Sequence, residues 1–188
     1  SHLLEIAKKE NVKADSDALH IIAEKADGAM RDALSIFDQM VNFCDGNITY
    51  DLVISNLNIL DYDYYFKLSD TFIENNIHKA LIIYEEILQK GFDGHNFVVG
   101  LASHFRNLLV CKDEITLSLL EVGEETKTKY QDQSSNISSK ILVDGLSIIS
   151  ETDISYKASK NQRLLVELTL MKLCSLSADI KKKSQIVS

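Results

Sequence analysis

Apolar residues recur at helical spacing along most of this chain. Met30, Ala33, Leu34, Phe37, Met40 and Val41 fall at the i, i+3, i+4, i+7 positions of one helix face. Upstream, Ala18, Leu19, Ile22, Ala23 and Ala26 do the same, and Leu3, Leu4, Ile6 and Ala7 open a shorter helix running to about Asn11. Asp15 or Ser16 is placed to cap the second of these helices. Gly28, after Asp27, stands where a left-handed residue ends one helix and lets the next begin. Asp45-Gly46 supplies the turn after Cys44, and Thr49 caps a short fourth helix carrying Leu52, Val53 and Leu57.

From Asp61 onward the helices lengthen. Asp61 or Asp63 caps one with Tyr65, Leu68, Phe72 and Ile73 inward, and Asn75-Asn76 breaks it. The next runs from His78 to Lys90 through Ala80, Leu81, Tyr84, Ile87 and Leu88 and stops at Gly91, which predicts two antiparallel helices joined by a tight turn. Asp93 or Asn96 opens a third, with Phe97, Val98, Leu101, Ala102, Phe105, Leu108 and Leu109 at helical spacing and Arg106 on the opposite, surface side. Between Lys112 and Ser139 the pattern weakens. Thr116 to Val122 holds a turn or two, Glu124 to Gln133 is polar enough to lie outside the core, and Gln131 to Ser139 reads as a flexible connection. Ser138 then caps a helix holding Ile141, Leu142, Leu146 and Ile149, which continues more loosely through Tyr156. The stretch from Asn161 to Ser177 is apolar on most sides, which predicts a helix that is buried or shared with a partner. Proline is absent and only 7 glycines occur, so nothing interrupts these segments. The expected fold is all-α, with a small bundle over residues 1–58 and a larger helical domain over 59–188.

Composition narrows the chemistry. The chain has 188 residues, 45% of them hydrophobic, enough for one good-sized core or two small ones. No apolar run approaches the length needed to span a bilayer, and no charged-then-apolar leader opens the sequence. The net charge is −8, whereas a surface that grips nucleic acid through its phosphates carries a clustered basic face. The one basic run, Lys181-Lys182-Lys183, reads as a solvated helix end. Cys44, Cys111 and Cys174 are too far apart for a disulfide framework or a zinc ribbon, and each reads as a buried free thiol of a reducing, cytoplasmic setting. The histidines form no metal spacing, His95 and His104 face different sides of one helix, and no nucleophile–base grouping emerges. Tyr62, Tyr64, Tyr65 and Phe66 lie among aspartates and not arginines, which points to a packed helix start in place of a base-stacking surface.

One residue fits this picture poorly. Arg31 sits in the first turn of its helix, where the dipole disfavours a cation by up to about 1 kcal/mol. Either it pairs with a neighbouring carboxylate, Asp27 or one on the preceding helix, or it forms an anion-facing corner with the first-turn amides, an arrangement that suits a phosphate. Gly28-x-x-Arg31-Asp32-Ala33-Leu34-Ser35-x-x-Asp38-Gln39 closely resembles the second-sensor motif in the lid of the gamma/tau family of bacterial DNA polymerase III clamp loaders, which are AAA+ ATPases. Arg163-x-x-Val166-Glu167 resembles, more weakly, the closing helix of that family's collar domain. The resemblance implies an AAA+ lid over 1–58 and a collar, or oligomerisation, domain over 59–188.

It further implies that Arg31 reaches the terminal phosphate of ATP held by a preceding ATPase module, with Met30 against the adenine. The full-length protein would then use ATP and Mg2+ to load the sliding clamp onto primer-template DNA during replication, and the collar would pack against other clamp-loader subunits. The phosphate loop, the magnesium-binding acids, the zinc cysteines and the arginine supplied across the subunit boundary are all absent from this sequence. They belong to the ATPase module, so these residues alone are expected neither to hydrolyse ATP nor to hold it tightly. Two other readings stay open: the lid and collar of another AAA+ replication or recombination subunit, and a free-standing helical interaction module. Self-association of the fragment is also open.

Overall fold

The computed structural model describes residues 2–26 and 29–186, with side chains as far as Ser177. The chain divides into two compact units, Ser1–Ile59 with Glu121–Thr128, and Leu60–Leu120 with Lys129–Ser188. Residues 121–128, expected within the second domain, group with unit 1.

In unit 1 the order is α1 (His2–Lys9), β1 (Lys13–Ala14), α2 (Ser16–Lys25), α3 (Met30–Phe43), β2 (Asn47–Ile48) and α4 (Tyr50–Asn56). β1 and β2 form a parallel bridge, Lys13 opposite Asn47 and Ala14 opposite Ile48. Two residues are too few to display the alternation that marks a strand in sequence, so the bridge left no trace there. Leu19, Ile22, Phe37, Met40, Ile48 and Val53 are buried where α2 packs on α3 and α4. Asp15 occupies the N-cap position of α2 with extended backbone, but its side chain makes no bond to its own helix. Its carboxylate instead accepts from the Tyr50 amide at 3.1 Å, tying the start of α2 to the start of α4. Thr49 caps α4 as expected, accepting from the Leu52 amide. Asp45 and Gly46 are both left-handed after α3. The turn expected at Asp27-Gly28 lies outside the described residues.

Unit 2 contains α5 (Tyr62–Glu74), α6 (Ile77–Gln89), α7 (Gly94–Val110), the single turn α8 (Glu114–Leu117), most of α9 (Glu124–Ser135), α10 (Ser139–Tyr156) and α11 (Gln162–Ile186). The caps are local and legible: Asp61 accepts from the Asp63 amide, Asn76 from Lys79, Asp93 from Asn96 and Ser138 from Ile141. α10 packs on α7 and α11, and α11 on α5 and α6, around Phe72, Phe97, Leu101, Phe105, Leu142 and Leu170. Arg163 pairs with Glu85 of α6 at 2.7 Å and with Glu167 at 2.8 Å. The Lys181-Lys182-Lys183 side chains lie beyond the described ones.

Glu124 to Gln133, expected outside the core, and the first half of the flexible connection expected from Gln131 to Ser139 instead form the helix α9, whose inner face is polar. Tyr130 and Ser134 are almost fully buried. Gln133 donates through Nε2 to the Phe66 carbonyl and to Asp70 Oδ1, each at 2.8 Å, which turns its Oε1 toward His104. His104 Nε2–H donates to that oxygen at 3.1 Å, so Nδ1 is left as acceptor for the Tyr130 hydroxyl, also at 3.1 Å. Ser134 Oγ donates to the Leu108 carbonyl, and Lys112 caps the helix end at the Ser134 carbonyl. An apolar-stripe search cannot see a helix docked this way, because every inward side chain is polar and satisfied only by distant partners.

The cysteines also depart from expectation. Cys174 is buried, its thiol pushed up to about 11 by burial although a bond to Thr71 opposes the shift, but Cys44 and Cys111 are half-buried.

Candidate functional site

The first turn of α3 begins without a side-chain cap. Ala29 holds the N-cap position in extended conformation, φ −78° and ψ 108°, and its methyl group offers no acceptor to the amides that follow. The Ala29 amide donates back to the Ala26 carbonyl at 2.9 Å, and Ala33 closes the first helical bond onto Ala29 at 3.0 Å. Asp32 is the acidic residue of this turn.

Arg31 is exposed, and among the described residues no carboxylate pairs with it and no acceptor bonds its guanidinium. No carboxylate of the preceding helix pairs with it, and Asp27 lies outside the described residues. Met30, which the spacing placed on the apolar face, is 47% exposed and not part of the core. Ala33, Phe37 and Met40 fill that face without it, since Met30 starts the helix one turn before the packing against α2 begins. Among the described residues the turn therefore presents an unpaired guanidinium, a helix start with no side-chain cap from Ala29, and a half-exposed thioether. A cation is unfavourable at a helix N-terminus unless an anion is shared with the amides, so this set is chemically suited to a phosphate.

Other chemistry-bearing residues do not converge on a reaction. His95 and Asp153 meet at 2.6 Å, with the His95 ring stacked on Tyr156, and serve to join α7 to α10. Tyr65 and Phe66 are buried against His104, as expected for a packed helix start. Arg106 is exposed as expected and also donates to the Leu119 carbonyl at 3.0 Å. Among the described residues no group of three or more His, Cys, Asp or Glu side chains could hold a metal ion, and no helix is long and apolar enough to cross a membrane.

Residues 1–46 match the family profile described as DNA polymerase III clamp loader subunit, ATPase lid domain. Residues 63–173, more than half of the chain, match that of the DNA polymerase III delta subunit, C-terminal domain. The chain belongs to the DNA polymerase III clamp-loader family. The matched lid includes Arg31 and Met30, and the second match falls on the larger helical domain.

Relatives of this clamp-loader chain include the DNA polymerase III subunit tau of Bacillus subtilis, 26% identical over 172 residues, covering 92% of this chain and 31% of that protein. The subunit gamma of Buchnera aphidicola is 21% identical over 176 residues, covering 92% of this chain and 47% of that one. The chain thus spans from about a third to about half of the length of these two relatives. Its fold is that of the Bacillus subtilis DNA clamp loader delta protein, with a TM-score of 0.55 at 19% identity over 91% of this chain and 54% of that one. Fold and family are accordingly an AAA+ lid bundle followed by a larger helical collar.

Proposed function

We propose that this chain is the nucleotide-sensing lid and the subunit-assembly collar of a cytoplasmic gamma/tau-type clamp-loader subunit. The observation that carries the reading is the exposed Arg31, unpaired among the described residues, in the first turn of a helix whose N-cap Ala29 offers no side-chain cap, within the Gly-x-x-Arg-Asp-Ala-Leu-Ser motif. In the full-length protein Arg31 would meet the terminal phosphate of ATP, with Met30 beside the adenine. The nucleotide and its Mg2+ would be held by the ATPase module. ATP hydrolysis supplies the free energy for placing a sliding clamp on primer-template DNA.

Arg31 contributes a fixed positive charge whose partner exists only when nucleotide is present, so its interaction differs between the two states. That difference is what a sensor requires. The collar reading is supported by Val143, Ile154, Leu164 and Leu168, large apolar side chains that α10 and α11 leave exposed and that other loader subunits would cover.

Arg31→Ala in the full-length protein is expected to lower ATP-dependent clamp loading by about tenfold to a hundredfold, the worth of one charge-assisted phosphate bond. The melting temperature should not fall, because Arg31 is exposed and its charge opposes the helix dipole. Arg31→Lys should recover only part of the activity, since a point charge replaces a planar fork. Loading by Arg31→Ala at the wild-type rate would refute the sensor role.

A further inference from the structure

The start of α9 lacks a carboxylate of its own where capping calls for one. Lys127 closes the first helical bond onto the Gly123 carbonyl at 2.9 Å, which makes Gly123 the N-cap and Thr126 the third helical residue. In a capping box a Glu or Gln at that third position reaches back to the N-cap amide. A threonine hydroxyl is too short to do so. Asp17, from α2, supplies the missing group: Oδ1 accepts from the Gly123 amide and Oδ2 from the Thr126 hydroxyl at 3.2 Å. Only glycine leaves room for this, because a Cβ at position 123 would collide with the Asp17 carboxylate.

Within the turn, Thr128 Oγ1 donates to the Glu124 carbonyl at 3.0 Å. The turn's residues are Glu124, Glu125, Thr126, Lys127 and Thr128, with no apolar side chain to bury, and the Glu124–Lys127 ion pair is long, at 3.7 Å. Asp17 lies in the first turn of α2, and Arg31 lies in the first turn of α3, the next helix in the chain. The ten-residue α2 packs on both α3 and α4, so Asp17 belongs to the helix on which the Arg31-bearing helix rests.

We propose that Asp17 is a latch through which the position of α2 sets whether residues 123–128 are helical, so that the nucleotide state of the lid is expressed as order in the first turn of α9. The nucleotide half of this statement rests on the sensing role of Arg31. Asp17 is a positioning residue, acting on the backbone of α9 and not on the nucleotide.

The test is hydrogen exchange on the full-length protein, followed in peptides spanning 119–128, with and without Mg2+ and a non-hydrolysable ATP analogue. Asp17→Ala is expected to speed exchange across 123–128 about tenfold without nucleotide, the loss of one cap. The analogue should change exchange there in the wild type and not in Asp17→Ala. Gly123→Ala breaks the same contact from the other side and leaves α2 untouched, so it should reproduce the loss even if Asp17→Ala loosens the lid. Wild-type exchange at 123–128 in both variants would overturn the latch. An analogue that leaves this segment unchanged in the wild type, while Arg31→Ala does impair loading, would overturn its response to nucleotide. Normal loading by Arg31→Ala would instead sink the sensing role alone, and the exchange comparison without nucleotide would still decide the latch.

Discussion

Gly145→Val is expected to cost unit 2 about 3 kcal/mol, the upper end of what overpacking a core does. Gly145 lies buried where α10 crosses α7, directly beneath the Phe105 ring. A Cβ there would press into the edge of that ring, lying 3.0 Å from Cδ2 and 3.3 Å from Leu173 Cδ2. Phe105 is only 2% exposed and packs against Phe72 at 5.9 Å, so the ring must shift within the core to admit the added side chain. Gly145→Ala brings the same Cβ against the ring and should also destabilise, but less than valine, since it adds no further methyl groups and recovers about 1 kcal/mol of helix propensity. Urea unfolding followed by tyrosine fluorescence measures both variants, as every tyrosine except Tyr50 lies in unit 2. A Gly145→Val midpoint equal to that of the wild type would mean that the two helices do not approach as closely as this glycine allows.

Acid should destabilise the same unit through His104. Burial holds this imidazole neutral, pulling its pKa down from 6.5 to about 3 even though the bond to Gln133 pulls the other way. Its Nδ1 already accepts from the Tyr130 hydroxyl, which itself accepts from Asn107 Nδ2, so a proton on Nδ1 would face a group already committed as a donor. Asp70 binds the Gln133 amide rather than the ring and provides no direct counter-charge. Between pH 6.5 and 3 the unfolded chain therefore binds a proton that the folded chain refuses. Stability contributed by neutral His104 is complete above about pH 6.5 and falls as pH drops toward 3, by about 1.4 kcal/mol per pH unit. By pH 5 the loss is about 2 kcal/mol. His104→Gln should flatten this dependence between pH 6.5 and 4. An equal slope in the wild type and in His104→Gln would show that other groups carry it.

The helices that could be located from sequence are those with an apolar stripe and a local cap. α5, α7 and α10 show both, with Asp61, Asp93 and Ser138 bonding amides two or three residues ahead. α9 shows neither. Its cap comes from Asp17, more than a hundred residues earlier, and its inner face is Tyr130, Gln133 and Ser134, whose partners lie on α5 and α7. Asp15 illustrates the same limit at short range, being at the right position to cap α2 while its carboxylate serves α4.

At the candidate site the motif singled out Arg31, but periodicity alone put Met30 in the core. A helix's first residue can satisfy the spacing and still precede the packed face. Capping and burial by distant polar partners are tertiary facts, and no window of sequence contains them.

The most direct measurement is a structure of the full-length protein with Mg2+ and a non-hydrolysable ATP analogue, read at one distance. A guanidinium nitrogen of Arg31 is expected at about 2.8 Å from an oxygen of the terminal phosphate, as in a charge-assisted bond. An Arg31 turned into solvent or paired with a protein carboxylate while nucleotide fills the ATPase module would contradict the sensing lid.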